Sequence, residues 1–237
     1  MFLSQPFEAT VLTEKGFILQ HIFDLSSLPR RLIETFENND VDVKKFNQLI
    51  LLGHGGRKLW HAMSNQDFAQ PHPIDHFSCT TFNEAMSQVA PNSEYKILYP
   101  DHDHNHVHYN LQQLGQLAGW HHSSPFRVGI NSEFGSWFAY RLLVIANTHF
   151  PVTKKVVSTS PCHTCPEKPC LTACPASAVH YHQEYEWQRC FDYRVTDDSL
   201  CHNRCLARLA CPVAKQHQYT SDQINYHYDL SRKHILK

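Results

Sequence analysis

The chain has 237 residues, 42% of them hydrophobic and 18% charged, enough for one large soluble domain or one domain with a small appendage. A formal net charge of −1 excludes a basic field of the kind that drives nonspecific nucleic-acid binding. The opening "MFLSQPFEATVLTEKGF" lacks a basic region leading into an apolar core. The apolar run 137–147 is too short to cross a bilayer and carries Arg141. No membrane partner is therefore expected, and the expected location is cytoplasmic.

In chain order, "LPRRLIETFENN" (28–39) reads as a helix and "FNQLILLG" (46–53) as an apolar strand running into "GHGG". The spacing of Ile74, Phe77, Phe82, Met86 and Val89 predicts a helix over 74–90. "EYKILYP" (94–100) predicts a short strand stopped by proline. Leu111, Leu114 and Leu117 recur at helical spacing within 107–120, ahead of Gly119. "FRVGI" (126–130) and "SWFAYRLLVIA" (136–146) flank "NSEFG" as the arms of a hairpin. His54, within "GHGG", has no nucleotide-fingerprint spacing around it and reads as an ordinary buried histidine.

The cysteines are segregated. Eight of nine lie between Cys162 and Cys211, and Cys79 alone lies outside. A disulfide framework suits small secreted domains without a sufficient core, which this chain does not resemble. Structural zinc is a closer rival, because paired cysteines at short spacing are common zinc ligands. "CHTCPEKPCLTACP" (162–175) ends in Cys-Pro, however, and so does the last cysteine, at 211–212. Two-cluster ferredoxins use three closely spaced cysteines for one cluster and the Cys-Pro cysteine for the other. That rule assigns Cys162, Cys165, Cys170 and Cys211 to one 4Fe–4S cluster, and Cys174, Cys190, Cys201 and Cys205 to a second. The usual spacing has two residues between the second and third cysteines; "PEKP" puts four between Cys165 and Cys170, as a proline-bounded loop expected to bulge outward. The expected organisation is α+β: a body over 1–155, a ferredoxin-like two-cluster module over 156–216, and a tail over 217–237.

"GINSEFGSWFAYRLLVI" (129–145), the Cys-Pro run, "QRCFDYRVTDDS" (188–199) and the closing "ACP" (210–212) together resemble epoxyqueuosine reductase, over about residues 117 to 215. "FGSWFAYR" (134–141) also resembles the cobalamin-processing CblC-type family, and 72–89 echoes its corresponding helix. The resemblance implies a nitroreductase-like body that holds cobalamin, next to two 4Fe–4S clusters. It implies that Gly135, Trp137 and Phe138 approach the corrin, and that His121 and His122 lie near the same pocket. Counting back from Ala118–Gly119 makes Asp103, or Asp101, the candidate acidic proton donor. His102, His104, His106 and His108 alternate, which would put all four on one face of an extended segment. Their spacing matches no metal motif, and they read first as a polar loop.

This chain departs from the reductase pattern in two places. "WHHSSPFRV" (120–128) replaces a glycine-tryptophan-glycine-lysine-asparagine segment, and "YPDHDHNHVHYN" (99–110) replaces the donor segment. Full-length reductases also carry C-terminal helical repeats that help engage tRNA. Without those, and without a basic surface, tRNA is disfavoured as substrate. The leading expectation is an iron–sulfur oxidoreductase that uses cobalamin to reduce a small molecule, or reduces cobalamin itself, fed by a donor such as ferredoxin or flavodoxin. The alternatives are a noncatalytic cobalamin-binding or electron-carrier protein, and a zinc-stabilised interaction protein.

Overall fold

The computed structural model describes residue 7, residues 10–101 and residues 109–236. The chain divides into two compact units, Met1–Ala118 with Ala139–Val156, and Gly119–Phe138 with Val157–Lys237. The hairpin segment therefore clusters with the cysteine-rich segment.

The first unit is built on a four-stranded sheet in the order β1-β2-β4-β3. Its strands are β1 (Leu19–Asp24), β2 (Gln48–Gly55), β3 (Tyr95–Tyr99) and β4 (Phe138–Ala146). β2 is buried at every position, as its apolar run requires of a strand inside a sheet. It pairs antiparallel with β1 from Leu19 opposite Gly53 to Asp24 opposite Gln48. β3 pairs antiparallel with β4, from Tyr95 opposite Ala146 to Tyr99 opposite Leu143, with an irregularity before Tyr99. Helices α1 (Thr10–Glu14), α2 (Arg30–Glu37), α3 (Lys58–Ala62), α4 (Pro73–Val89) and α5 (Leu111–Ala118) complete the unit. Aromatic rings tie them to the sheet. Phe82 of α4 meets Phe7 and Tyr95 edge-on, at 6.4 and 5.5 Å between centroids, and Phe77 stacks on Phe17 at 6.4 Å. An α+β architecture with a small antiparallel sheet is what the structure contains.

Two readings change. The segment 126–130 is not a strand. Arg127 takes a left-handed backbone (φ 65°) and Val128 N–H closes a tight turn onto the Phe126 carbonyl at 2.8 Å, so only isolated bridges remain on either side of Ile130. The helix expected over 107–120 starts at Leu111, where the Asn110 side chain accepts the Gln113 N–H at 2.9 Å. β1 carried no clear signal, because Gln20 and His21 interrupt its apolar residues. Both are buried all the same, and Gln20 donates to the Phe17 carbonyl at 2.8 Å.

The second unit holds only short helices apart from its last: α6 (Pro169–Thr172), α7 (Trp187–Val195), α8 (Leu206–Ala210) and α9 (Ser221–Ile235). α9 occupies the segment expected as a tail. Thr220 caps it by accepting the Gln223 N–H at 3.2 Å, and its buried Ile224 joins Trp137 and Tyr219 in an apolar cluster. No described helix is long and apolar enough to cross a membrane.

Candidate metal centre

The cysteines are set on turns and helix ends. Ser160 Oγ accepts the Cys162 N–H at 3.3 Å, which shapes the turn that holds Cys162 and Cys165. Beyond Cys165, Pro166 and Glu167 are exposed, and Lys168 is left-handed (φ 42°). The Lys168 ammonium donates to the Cys165 carbonyl at 3.0 Å and lies 4.2 Å from the Tyr181 ring centre, so the longer loop is clasped at its base. Pro169 then opens α6, which suits proline because the first helical N–H has no partner to lose. Cys170 follows it, 7% exposed. Cys190 is inside α7, Cys205 caps the start of α8, and Cys211 caps its end.

The thiols influence one another, and these influences divide the eight into two sets. Burial first, then Cys211, Cys162 and Cys165, push Cys170 up to about 11. Burial and then Cys211 lead among the causes that raise Cys162, and Cys165 also raises it. In the other set burial leads again. It is joined at Cys190 by Cys174, at Cys201 by Cys174 and Cys190, and at Cys205, pushed up to about 11, by Cys201 and Cys190. Cys174, Cys190, Cys201 and Cys205 together line a cavity of about 290 Å³. Four half-buried or buried thiols facing one another cannot all ionise without a cation to offset them. A positively charged metal core fits that donor set and that space. The sets are looser than a single-ion site: among the described residues, no three His, Cys, Asp or Glu side chains converge closely enough to hold one metal ion.

Two buried arginines line the cavity, neither of them singled out by the sequence. Arg194 donates to the carbonyls of Cys201 (3.3 Å) and Tyr228 (2.9 Å) and to Ser231 Oγ (3.0 Å). Arg208 donates to the Ser136 carbonyl and hydroxyl and lies 4.3 Å from the Trp137 ring centre. Its backbone N–H donates to Cys205 Sγ at 3.4 Å. The positions are legible only in three dimensions, since Arg208 and Ser136 are far apart in the chain.

The hairpin residues are engaged within this second unit. Asn131 Oδ1 accepts the N–H groups of Glu133 (2.8 Å) and Phe134 (3.0 Å), and its amide donates to the Trp120 carbonyl at 3.0 Å. Gly135 is left-handed (φ 58°), and a Cβ there would lie 2.5 Å from the Val213 carbonyl oxygen. Its glycine thus brings the hairpin against the segment following Cys211. Trp137, 1% exposed, has its ring face under Arg208 and an edge against Tyr219 at 5.3 Å. Phe138 meets the His121 ring at 6.3 Å. His121 is 5% exposed, its pKa lowered by burial and then by His122, and its ring lies where a Cβ on Gly129 would intrude. His122 bonds Ser158 Oγ at 2.8 Å. Gly135 and Trp137 thus pack against Val213, Arg208 and Tyr219 of the same unit. His54 lies in the first unit, fully buried, with Arg141 Nη2 3.1 Å from its Nε2. Asp103 and the run His102, His104, His106 and His108 lie outside the described residues.

No protein-family model and no curated protein matches the chain. Solved structures do. Epoxyqueuosine reductase from Streptococcus thermophilus is 14% identical, with 87% of this chain and 65% of that one covered and a TM-score of 0.51. An epoxyqueuosine reductase bound to an epoxyqueuosine-modified tRNA-Tyr stem loop is 13% identical, with 92% and 67% covered and a TM-score of 0.54. The B12-trafficking protein CblC of C. elegans is 11% identical over 96% and 93%, with a TM-score of 0.43, too low to establish a common fold by itself. The chain thus has the fold of epoxyqueuosine reductase and spans about 65% of the length of the S. thermophilus structure.

Proposed function

Given a fold shared with epoxyqueuosine reductase, we propose that this chain is an iron–sulfur oxidoreductase holding two 4Fe–4S clusters. Cys162, Cys165, Cys170 and Cys211 hold one; Cys174, Cys190, Cys201 and Cys205 hold the other. The observation that carries this reading is the gathering of the second set around one cavity of about 290 Å³. Such clusters supply single electrons at low potential. The residues of this chain do the rest. The cysteines fix the clusters in place, and Arg194 and Arg208 offset the thiolate charge from the buried side. Lys168 clasps the Cys165–Cys170 loop.

The electron acceptor follows from the resemblance, which implies cobalamin in the α+β body and a small-molecule substrate. The same resemblance would place Gly135, Trp137 and Phe138, with His121 and His122, toward the corrin, and no step is derived through it. An external donor such as ferredoxin or flavodoxin completes the route. With a net charge of −1, tRNA remains disfavoured as the substrate.

Anaerobic purification with iron, acid-labile sulfide and corrin quantified together tests the reading. About eight irons and eight sulfides per chain are expected for two cubanes. Zinc without labile sulfide would sink it and leave a zinc-stabilised interaction protein. Clusters that give no spectral response with cob(II)alamin, when reduced, would reduce the function to electron carriage.

A further inference from the structure

The cavity that gathers Cys174, Cys190, Cys201 and Cys205 has one wall that carries no cysteine: His227, Tyr228 and Ser231, a single stretch of α9. Apolar burial does little to hold that stretch in place. The buried residues of α9 are Gln223 and Ile224, both in its first turn, where Ile224 joins Trp137 and Tyr219. Further along, Tyr228 is half-buried, and Asp229, Leu230 and Ser231 are exposed. A helix of this length is marginal in water unless a face of it is packed, so the stretch over the cavity needs another attachment.

Arg194 supplies it. The residue comes from α7, one turn after Cys190, and is 5% exposed. Its Nη2 donates to the Tyr228 carbonyl at 2.9 Å and its Nη1 to Ser231 Oγ at 3.0 Å, while the guanidinium lies 5.2 Å from the Tyr228 ring centre. Its Nε donates the other way, to the Cys201 carbonyl at 3.3 Å. One side chain thus ties α9 to the segment that carries Cys201 and to the helix that carries Cys190. Among the described residues no carboxylate pairs with it. A rigid planar fork can serve three acceptors in different directions and stack on a ring at once.

Resting on the two-cluster reading above, we propose that α9 is the cover of the second cluster and that Arg194 is the positioning residue that latches it there, limiting the access of water and dioxygen. The shell around a metal site controls what solvent reaches it, and this wall of the shell is fastened by hydrogen bonds. The first set is differently enclosed: the apolar cluster that includes Cys170 and Cys211 contains no residue of α9. Opening the latch therefore exposes one cluster and spares the other.

Two measurements on the full, anaerobically reconstituted chain test this, comparing the unmodified protein with Arg194→Met and Arg194→Lys. In Arg194→Met, hydrogen-exchange protection over 228–235 is expected to fall about tenfold, while β1 and β2 keep theirs. On admission of air, about half of the bound iron should be released about tenfold faster, and the other half at its former rate. Arg194→Lys keeps the charge but not the fork, and is expected to behave as Arg194→Met does. Unchanged exchange in α9, equal acceleration of all the iron, or full restoration by lysine each overturns the proposal. If Arg194→Met does not retain the second cluster, Ser231→Ala carries the test, since it removes one acceptor from an exposed position. Exchange over 228–235 should then rise about threefold at full iron content, and unchanged exchange overturns the proposal equally. Absence of clusters from the unmodified protein would instead defeat the reading on which this rests, so the two failures are distinct.

Discussion

The two units of this chain reach order by different means. The first buries strands and helices against one another: Leu49 to Leu52 of β2 and Leu142 to Ala146 of β4 are all fully covered, and Phe82 and Phe77 of α4 meet Phe7 and Phe17. The second, among the described residues, buries fewer apolar side chains, and cysteines take places among them. Beside the Trp137–Tyr219–Ile224 cluster, its second cluster, Phe126, Ile130, Val179 and Ala207, includes Cys170 and Cys211 as members and packs against Cys162, Cys174 and Cys205. Its helices α6 and α8 are too short to stand alone. Where the hydrophobic core is thin, a metal centre becomes part of the folding free energy. The first unit is therefore expected to fold without its cofactors, and the second to depend on them.

The sharpest way to break this contrast is to remove a ligand. Cys205→Ser should lose roughly half of the iron, since each cubane takes four thiolates. Hydrogen exchange should then show lost protection over α7 and α8 while β1, β2 and β4 keep theirs. Equal loss in both units would show that the sheet also depends on the metal.

Arg208→Met comes next in size. It strips two hydrogen bonds from Ser136 and the cation from the Trp137 face, leaving a buried carbonyl without its donor. A loss of about 4 kcal/mol is expected, and Arg208→Lys should restore little of it because an ammonium cannot both fork and stack. Chemical denaturation of the reconstituted protein measures both. A loss under ~1 kcal/mol would mean that the arginine is replaceable packing.

The smallest effect belongs to the first unit and is a pH effect. Burial lowers the His21 pKa to about 4, from 6.5. Between those values the unfolded chain binds a proton that the folded one refuses, so stability falls as pH drops from 6.5 toward 4 and is unaffected above that window. The full loss is about 3 kcal/mol, at 1.36 kcal/mol per unit. His21→Leu, opposite Leu51 in the sheet, should flatten this acid limb. An unchanged limb in the variant would assign the acid sensitivity to other groups.

Much of the first unit was legible in the chain. The runs that became α4, β2, β3 and β4 carry their own periodicity, which depends only on neighbours in sequence. β1 was not legible, since its polar Gln20 and His21 become tolerable only when β2 covers them. The hairpin was legible as a turn, and its partners were not legible at all. "NSEFG" makes the expected turn, closed by the Asn131 side chain, yet the partners of Gly135 and Trp137 are Val213 and Arg208, which no local pattern could nominate.

By itself the sequence determined that eight cysteines crowd into one segment, and its two Cys-Pro ends suggested a division into two sets of four. Cysteine spacing is a local property, readable without the fold. Tertiary structure alone decided what surrounds them: the cavity, the arginines that line it, and a tail that becomes α9. These are contacts between residues distant in the chain, set by how bulky side chains fill a common space, and that packing has no linear signature.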